Sequence, residues 1–215
     1  KADLVTSVSC WQGKKIADEE SIHGDNMLYS SNGVEDSNTV GFDLSLKEAG
    51  RCIFMATPER GLDNVLDVWP RIRQRVPFAT LHLFSSFKGW GHDDVANLEM
   101  CSHLYARVET MLSLGIHNHI HAAPWAIDEQ LKRADAYIYP SDFRETCCMS
   151  VLGAMLFGAI PITTNLAALS EKVINGVTGY AIPPYGASTS RYQNLFVEKV
   201  VDVLTMGESE KAQMR

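Results

Sequence analysis

From residue 51 onward the apolar positions follow two alternating rhythms. Residues 51–56 (RCIFMA) and 79–84 (ATLHLF) are near-continuous apolar runs, the pattern of strands buried on both faces. Between them Leu62, Val65, Leu66, Trp69 and Ile72 recur every three or four positions, which predicts a helix over 62–75. Pro70 falls inside it and is expected to kink it, because its ring removes a donor and crowds the preceding turn. The alternation then repeats. A helix is expected over 93–114, a strand over 118–122, a short helix over 127–133 and a strand over 135–139 (DAYIY). The stretch 139–164 supplies a strand end, a loop with a lone Glu145, a helix of small and apolar residues, and a second strand. A helix near 166–174, a turn at 176–179 and a last helix over 193–204 follow. This pattern predicts the α/β class: a parallel, Rossmann-like sheet with helices on both faces.

The first fifty residues read differently. A short β-type run at 3–8 leads into a polar helical stretch near 11–20, and a second short strand at 27–31 stops at Asn32-Gly33, a turn signal. Residues 35–45 are polar and irregular, as in a linker. The chain therefore divides into 1–36, expected to belong to a separate unit, and 37–215. It starts at Lys1 with no signal pattern, and is expected to begin inside a longer protein.

Composition changes the picture in two ways. A net charge of −7 over 215 residues disfavours a broad nucleic-acid footprint, which needs basic surface, but leaves room for a small anion held by local cations. The cysteines (Cys10, Cys52, Cys101, Cys147 and Cys148) are odd in number and lack a C-x-x-C pair, which fits free thiols in a reducing, cytoplasmic setting. No apolar run approaches the ~20 residues of a membrane span.

Candidate chemistry gathers at two strand-to-helix turns. A strand-loop-helix unit offers backbone N–H groups and a positive helix end to an anion at the carboxyl edge of a sheet. Arg60-Gly61 ends the turn at 57–61, where a guanidinium can fork onto a diphosphate; the plain alternative is a solvated arginine beside a turn glycine. Glu145 is either a sugar-hydroxyl acceptor, beside the N–H groups of Thr146 to Met149, or an ordinary first-turn acid. His117, His119 and His121 would share one face of a strand, but nothing else in the sequence supports a zinc site. No histidine near Cys147-Cys148 favours a thiolate nucleophile. Neither G-x-G-x-x-G nor G-x-x-x-x-G-K-[ST] occurs, which counts against a nicotinamide enzyme and a P-loop NTPase.

Taken together, three blocks resemble a known family. VSCWQGKKI and YSSNGVE are similar to the segment "vS.wq … i.NGVd". ATPERGLDNVLDVWPRIRQRVPFATLHLF is similar to a first strand-helix-strand of a donor domain. LKRADAYIYPSDFRETCCMSVLGAMLFGAIPITTNLAALSEKVINGVTGYAIPP is similar to "l..ADv.v.PS..E.fg...lEAma.G.PVv.t..ggl.e.v.dG.tG.lv.p". The chain resembles the C-terminal, donor-binding half of GT-B fold, retaining glycosyltransferases of family four, the glycogen-synthase-like group.

The resemblance implies a nucleotide sugar as donor, a glycan, lipid or protein as acceptor, and no metal or other cofactor. It also implies peripheral membrane contact through an N-terminal domain. Arg60, with Gly61 beside it, falls where the family holds the diphosphate. Glu145 falls on the first Glu of E-x7-E, which contacts the donor sugar. Thr146, Cys147, Cys148 and Met149 fall on the loop whose amides hold sugar and phosphate, and Trp125 falls near the base-binding loop. Two departures stand out. Gly153 replaces the second Glu, which contacts ribose, and Met55 stands where some members carry a second cation, leaving Lys88 as the candidate for that charge. Three rivals follow: a non-catalytic nucleotide-sugar binding module, a GT-B fold sugar-nucleotide epimerase, and a dinucleotide-dependent oxidoreductase.

Overall fold

The computed structural model describes residues 4–34, 42–85, 94–119 and 124–215, without the side chains of 94–101, 124 and 125. Six parallel strands form its main sheet: β3 (Arg51–Met55), β4 (Thr80–Phe84), β5 (Ile116–Asn118), β6 (Ala136–Tyr139), β7 (Ile160–Thr164) and β8 (Tyr180–Ile182). Their order is β5-β4-β3-β6-β7-β8. Two smaller strands, β1 (Val5–Ser7) and β2 (Met27–Tyr29), pair in parallel around α1 (Cys10–Glu20) as a separate two-stranded sheet.

The helices take the two sides of the main sheet in the way the apolar periodicity requires. α2 (Leu62–Arg75) buries Leu62, Val65, Leu66, Val68, Trp69 and Ile72, and packs on α3 (Asp94–Thr110) and α7 (Ser190–Thr205). Trp69 is fully buried and its indole N–H donates to the Leu114 carbonyl at 2.9 Å. α7 covers β6, β7 and β8, with Tyr192 OH sharing a 2.6 Å hydrogen bond with Thr164 Oγ1. α4 (Pro124–Arg133) lies against β3, while α5 (Met149–Leu156) and α6 (Leu169–Lys172) lie against β7. The expected class, a parallel sheet with helices on both faces, is the observed one.

Several local expectations change. α2 runs unbroken through Pro70, whose ring sits on the exposed side, where a missing donor costs least. β5 lies at Ile116–Asn118, earlier than expected, because Ile116 is the buried anchor that pairs with Leu81. The helix expected near 166–174 is only one turn, Leu169–Lys172. The short strand β8 and the last helix α8 (Glu208–Met214) were not legible as elements.

At the amino ends of the strands α8 is tied to the sheet by charge. Asp135, 1 % exposed, accepts from Lys211 Nζ (2.7 Å) and Gly50 N (3.1 Å) on one oxygen, and from Arg215 Nη2 (2.7 Å) on the other. Lys211 is equally buried and also meets Glu208 at 3.2 Å. Across β3, β4 and β5, the rings of His117, His82 and His119 stack, and Arg51 Nη2 lies 3.1 Å from His82 Nδ1. The N-terminal unit meets the main sheet's carboxyl edge through Glu171, whose carboxylate accepts from Cys10 N (3.0 Å) and Trp11 N (2.5 Å) at the start of α1.

Candidate functional site

The strand order reverses direction between β3 and β6, the place where open parallel sheets leave a crevice at their carboxyl ends. A cavity of about 410 Å³ lies there. Its walls come from the ends of both strands: Met55, Ala56, Thr57 and Arg60 after β3, and residues 143–150 after β6. Asn32, from the N-terminal unit, completes the rim.

Glu145 sits at the centre of this wall, 7 % exposed. Its Oε1 accepts from Tyr139 OH at 2.7 Å and from Arg60 Nη1 at 3.3 Å. Its backbone carbonyl accepts from Ala168 N at 3.1 Å, which ties the loop to the segment before α6. The Arg60 guanidinium stacks on the Phe143 ring at 4.0 Å and lies 3.6 Å from Glu59. Arg60 and Glu145, 85 residues apart in sequence, thus meet across the crevice.

The loop is shaped to present backbone. Cys148 has φ 59° and ψ 72°, a left-handed conformation that costs a Cβ-bearing residue, and it stands at the N-cap of α5 with its Sγ 3.5 Å from Ser150 Oγ. Among the described residues, the N–H groups of Thr146, Cys147, Cys148, Met149 and Ser150 have no protein acceptor. They gather at the positive end of α5, an arrangement suited to anionic or hydroxyl oxygens. Cys148 is not set up as a nucleophile. Burial first, then the Glu145 charge, push the Cys148 thiol up to about 12.

A family model described as glycosyl transferases group 1 matches residues 50–205, most of the chain. The chain belongs to that family. A search of curated protein sequences returned no significant match. Among solved structures, a point mutant of S. aureus TarM with fondaparinux, α-GlcNAc-glycerol and UDP superposes with a TM-score of 0.74 at 13% identity, covering 99% of this chain and 38% of that one. The pneumococcal O-GlcNAc transferase GtfA with UDP and GlcNAc gives 0.71 at 16% identity, covering 99% and 40%. The catalytic domain of Starch Synthase IV from Arabidopsis thaliana with ADP and acarbose gives 0.71 at 16%, covering 99% and 51%. At these identities the likeness establishes the GT-B type of fold. The chain spans between 38% and 51% of these structures' lengths.

In this member of the glycosyl transferases group 1 family, Arg60, Glu145, Thr146, Cys147, Cys148 and Met149 all line one cavity. Gly61 and Gly153 do not. Gly61, at φ 118°, starts α2 so close to Pro140 that a Cβ would stand 2.8 Å from its carbonyl oxygen, so its role is to let the two turns meet. Gly153 lies in the second turn of α5, and among the described residues a Cβ there would touch only Leu131 Cδ1, at an ordinary 3.9 Å. Lys88 and His121 lie outside the described residues, and of Trp125 only the backbone, in the first turn of α4, is described.

Sequence reasoning missed four contributors. Tyr139 had read as strand filling and Asn32 as a turn residue, yet one holds Glu145 and the other lines the cavity. Phe143 carries the Arg60 guanidinium, and Arg144 adds a second cation to the lining. Only the family-like NGVE segment hinted at Asn32. Nothing local marked the other three.

Proposed function

We propose that the chain supplies the donor half of a retaining, metal-independent glycosyltransferase that moves a hexose from a nucleoside diphosphate sugar to an acceptor hydroxyl. On this reading residues 1–36 close an acceptor-side unit and 37–215 form the donor domain. The observation that carries it is the meeting of Arg60, Glu145 and the uncommitted amides of 146–150 around one crevice of a group 1 family member. UDP in the TarM and GtfA structures and ADP in the starch synthase structure support a nucleoside diphosphate as the leaving group.

The chemistry follows from charge. As the bond from sugar to diphosphate breaks, negative charge grows on the leaving phosphate and the sugar becomes oxocarbenium-like. Arg60 and the amides at the start of α5 stabilise that charge without reorganising, and one such donor is typically worth roughly 3 kcal/mol. Arg144 and Lys88 are the candidates for further charge. Glu145 orients the sugar through its hydroxyls. The leaving phosphate takes the acceptor proton on the same face, so the anomeric configuration is retained and this half needs no separate base.

Calorimetric titration with UDP, GDP and ADP and their glucose conjugates tests the donor reading. At least one nucleotide is expected to bind. Arg60→Ala is expected to weaken that nucleoside diphosphate about 10- to 100-fold, in line with the loss of one or two hydrogen bonds to a charged group. The matching nucleoside should lose little. Equal losses for both would remove Arg60 from the diphosphate.

A further inference from the structure

Glu145 is held by one oxygen only. Oε1 accepts from both Tyr139 and Arg60, whereas among the described residues no donor reaches Oε2. The residue is nonetheless only 7 % exposed, and it lines the cavity. A carboxylate oxygen in the cavity wall without a protein donor has capacity for one, and a ligand hydroxyl in the cavity is the group that would supply it.

What holds Oε2 in that direction is the pair of donors on Oε1. Tyr139 is fully buried at the end of β6, its ring 6.1 Å from Phe54 and 6.0 Å from Tyr137. Packed in this way, the ring has one direction in which to send its hydroxyl. Burial, then the Glu145 charge, raise the phenol well above its ordinary range, so it keeps its proton. Facing an acceptor-only carboxylate, it donates.

We propose that Tyr139 is a positioning residue of the donor site: with Arg60 it clamps Oε1 of Glu145, so that Oε2 is presented to a hydroxyl of the donor's sugar. This rests on the donor reading above. It divides the ligand in two. Affinity for the sugar depends on Tyr139, whereas affinity for the diphosphate depends on Arg60 and the loop amides. Tyr137 is the internal control. It is equally buried, two residues earlier on the same strand, but its hydroxyl meets Ser150 Oγ at 2.9 Å and donates to the Met55 carbonyl at 3.3 Å rather than to Glu145.

The test measures, for the 215-residue chain, how much tighter UDP-glucose, UDP-N-acetylglucosamine, GDP-glucose and ADP-glucose bind than UDP, GDP or ADP. Y139F preserves the ring and its packing. It is expected to lose most of the affinity that the sugar adds, about tenfold for one hydrogen bond to a charged group, with a much smaller change for the bare nucleotide. Y137F should retain the sugar increment. A purely structural role would not separate the sugar increment from the affinity for the bare nucleotide in this way.

A sugar increment that survives Y139F, or one that both substitutions remove equally, overturns the assignment. Wild-type chain that binds none of the probes overturns the donor reading and the assignment with it. If Y139F fails to fold, Glu145→Asp replaces it. That change keeps the charge but draws the carboxylate back from the Tyr139 hydroxyl, and the same selective loss is expected. A retained sugar increment in E145D would overturn the proposal.

Discussion

The two ends of the main sheet use the same ingredients to opposite effect. At the amino end Asp135 faces Lys211 and Arg215, and both of its oxygens are occupied, one of them twice. At the carboxyl end Glu145 faces Arg60 and Tyr139, and both donors fall on a single oxygen. The side chains of Asp135, Lys211 and Arg215 are 1–4 % exposed, whereas that of Arg60 is 21 % exposed. With both oxygens occupied, the Asp135 carboxylate has no capacity left for a ligand and serves to hold structure together. Glu145 keeps one oxygen without a protein donor among the described residues, beside a row of uncommitted amides in a cavity wall. The difference between the two ends therefore lies in how completely the carboxylate is satisfied, more than in which residue types are present.

The largest expected effect separates these two ends. Asp135→Ala would leave Lys211 and Arg215 buried with only the exposed Glu208 as counter-charge among the described residues, and breaking a buried pair typically costs about 3–5 kcal/mol. Urea unfolding should show that loss. Where the variant stays folded, its ranking of nucleotides should match wild type. Arg60→Ala is the mirror image, expected to lose ligand while its unfolding midpoint moves little. A D135A loss below about 1 kcal/mol would mean that the amino-end network is surface decoration, as exposed ion pairs usually are.

Between the two ends lies the histidine stack, and it supplies a pH test. His82 faces Arg51 from β3, His117 from β5 and His119 just after β5, with Gln130 of α4 bonded to the same Arg51. Burial first, then the Arg51 charge, lower its pKa from 6.5 to about 3. The unfolded chain therefore takes up this proton before the folded one does. The contribution of a neutral His82 is complete above pH 6.5 and is lost as pH falls toward 3. For one proton the slope approaches about 1.4 kcal/mol per pH unit. Unfolding free energies measured at intervals from pH 7.5 to pH 5 should show a decline that His82→Gln flattens. An identical decline in that variant would assign the loss to other groups.

Legibility in the sequence follows the range of each interaction. Strands such as 51–55 and helix 62–75 announce themselves because burial on both faces, or on one stripe, is written into consecutive residues. That Arg60, Glu145 and the loop at 146–149 would gather at strand-to-helix turns was legible because turn chemistry and the family pattern are local too. Asp135, Lys211 and Arg215 were not. They stand 76 and 80 residues apart, and each in isolation resembles a solvated charge. Tyr139 hid for a related reason: alternation puts it on the right face of β6 but cannot say that a hydroxyl at the strand's end will meet a carboxylate six residues later. β5 was misplaced because three alternating histidines masked the single apolar anchor, Ile116, that sets its register.

Glu171 lies between the two extremes and gives the smallest expected effect. It is exposed, yet both of its oxygens are engaged, by the amides of Cys10 and Trp11. α1 has no acidic residue in its own first turn, so Glu171 supplies the negative charge its positive end lacks. Glu171→Gln keeps the shape but removes that charge, and it points an NH2 group at a backbone N–H. A cost of about 0.5–1 kcal/mol is expected. It should be local, because α1 belongs to the small sheet and not to the core around Trp69. Hydrogen exchange resolves this. Amides 10 and 11 should exchange roughly two- to fivefold faster, while those of β3 and β6 keep their protection. If the core amides accelerate equally, Glu171 is part of the scaffold, as Asp135 is. If none accelerates, the contact does not hold the N-terminal unit at the rim, and Asn32 must be kept beside the cavity by Lys172, which donates to Ser31 at 3.1 Å.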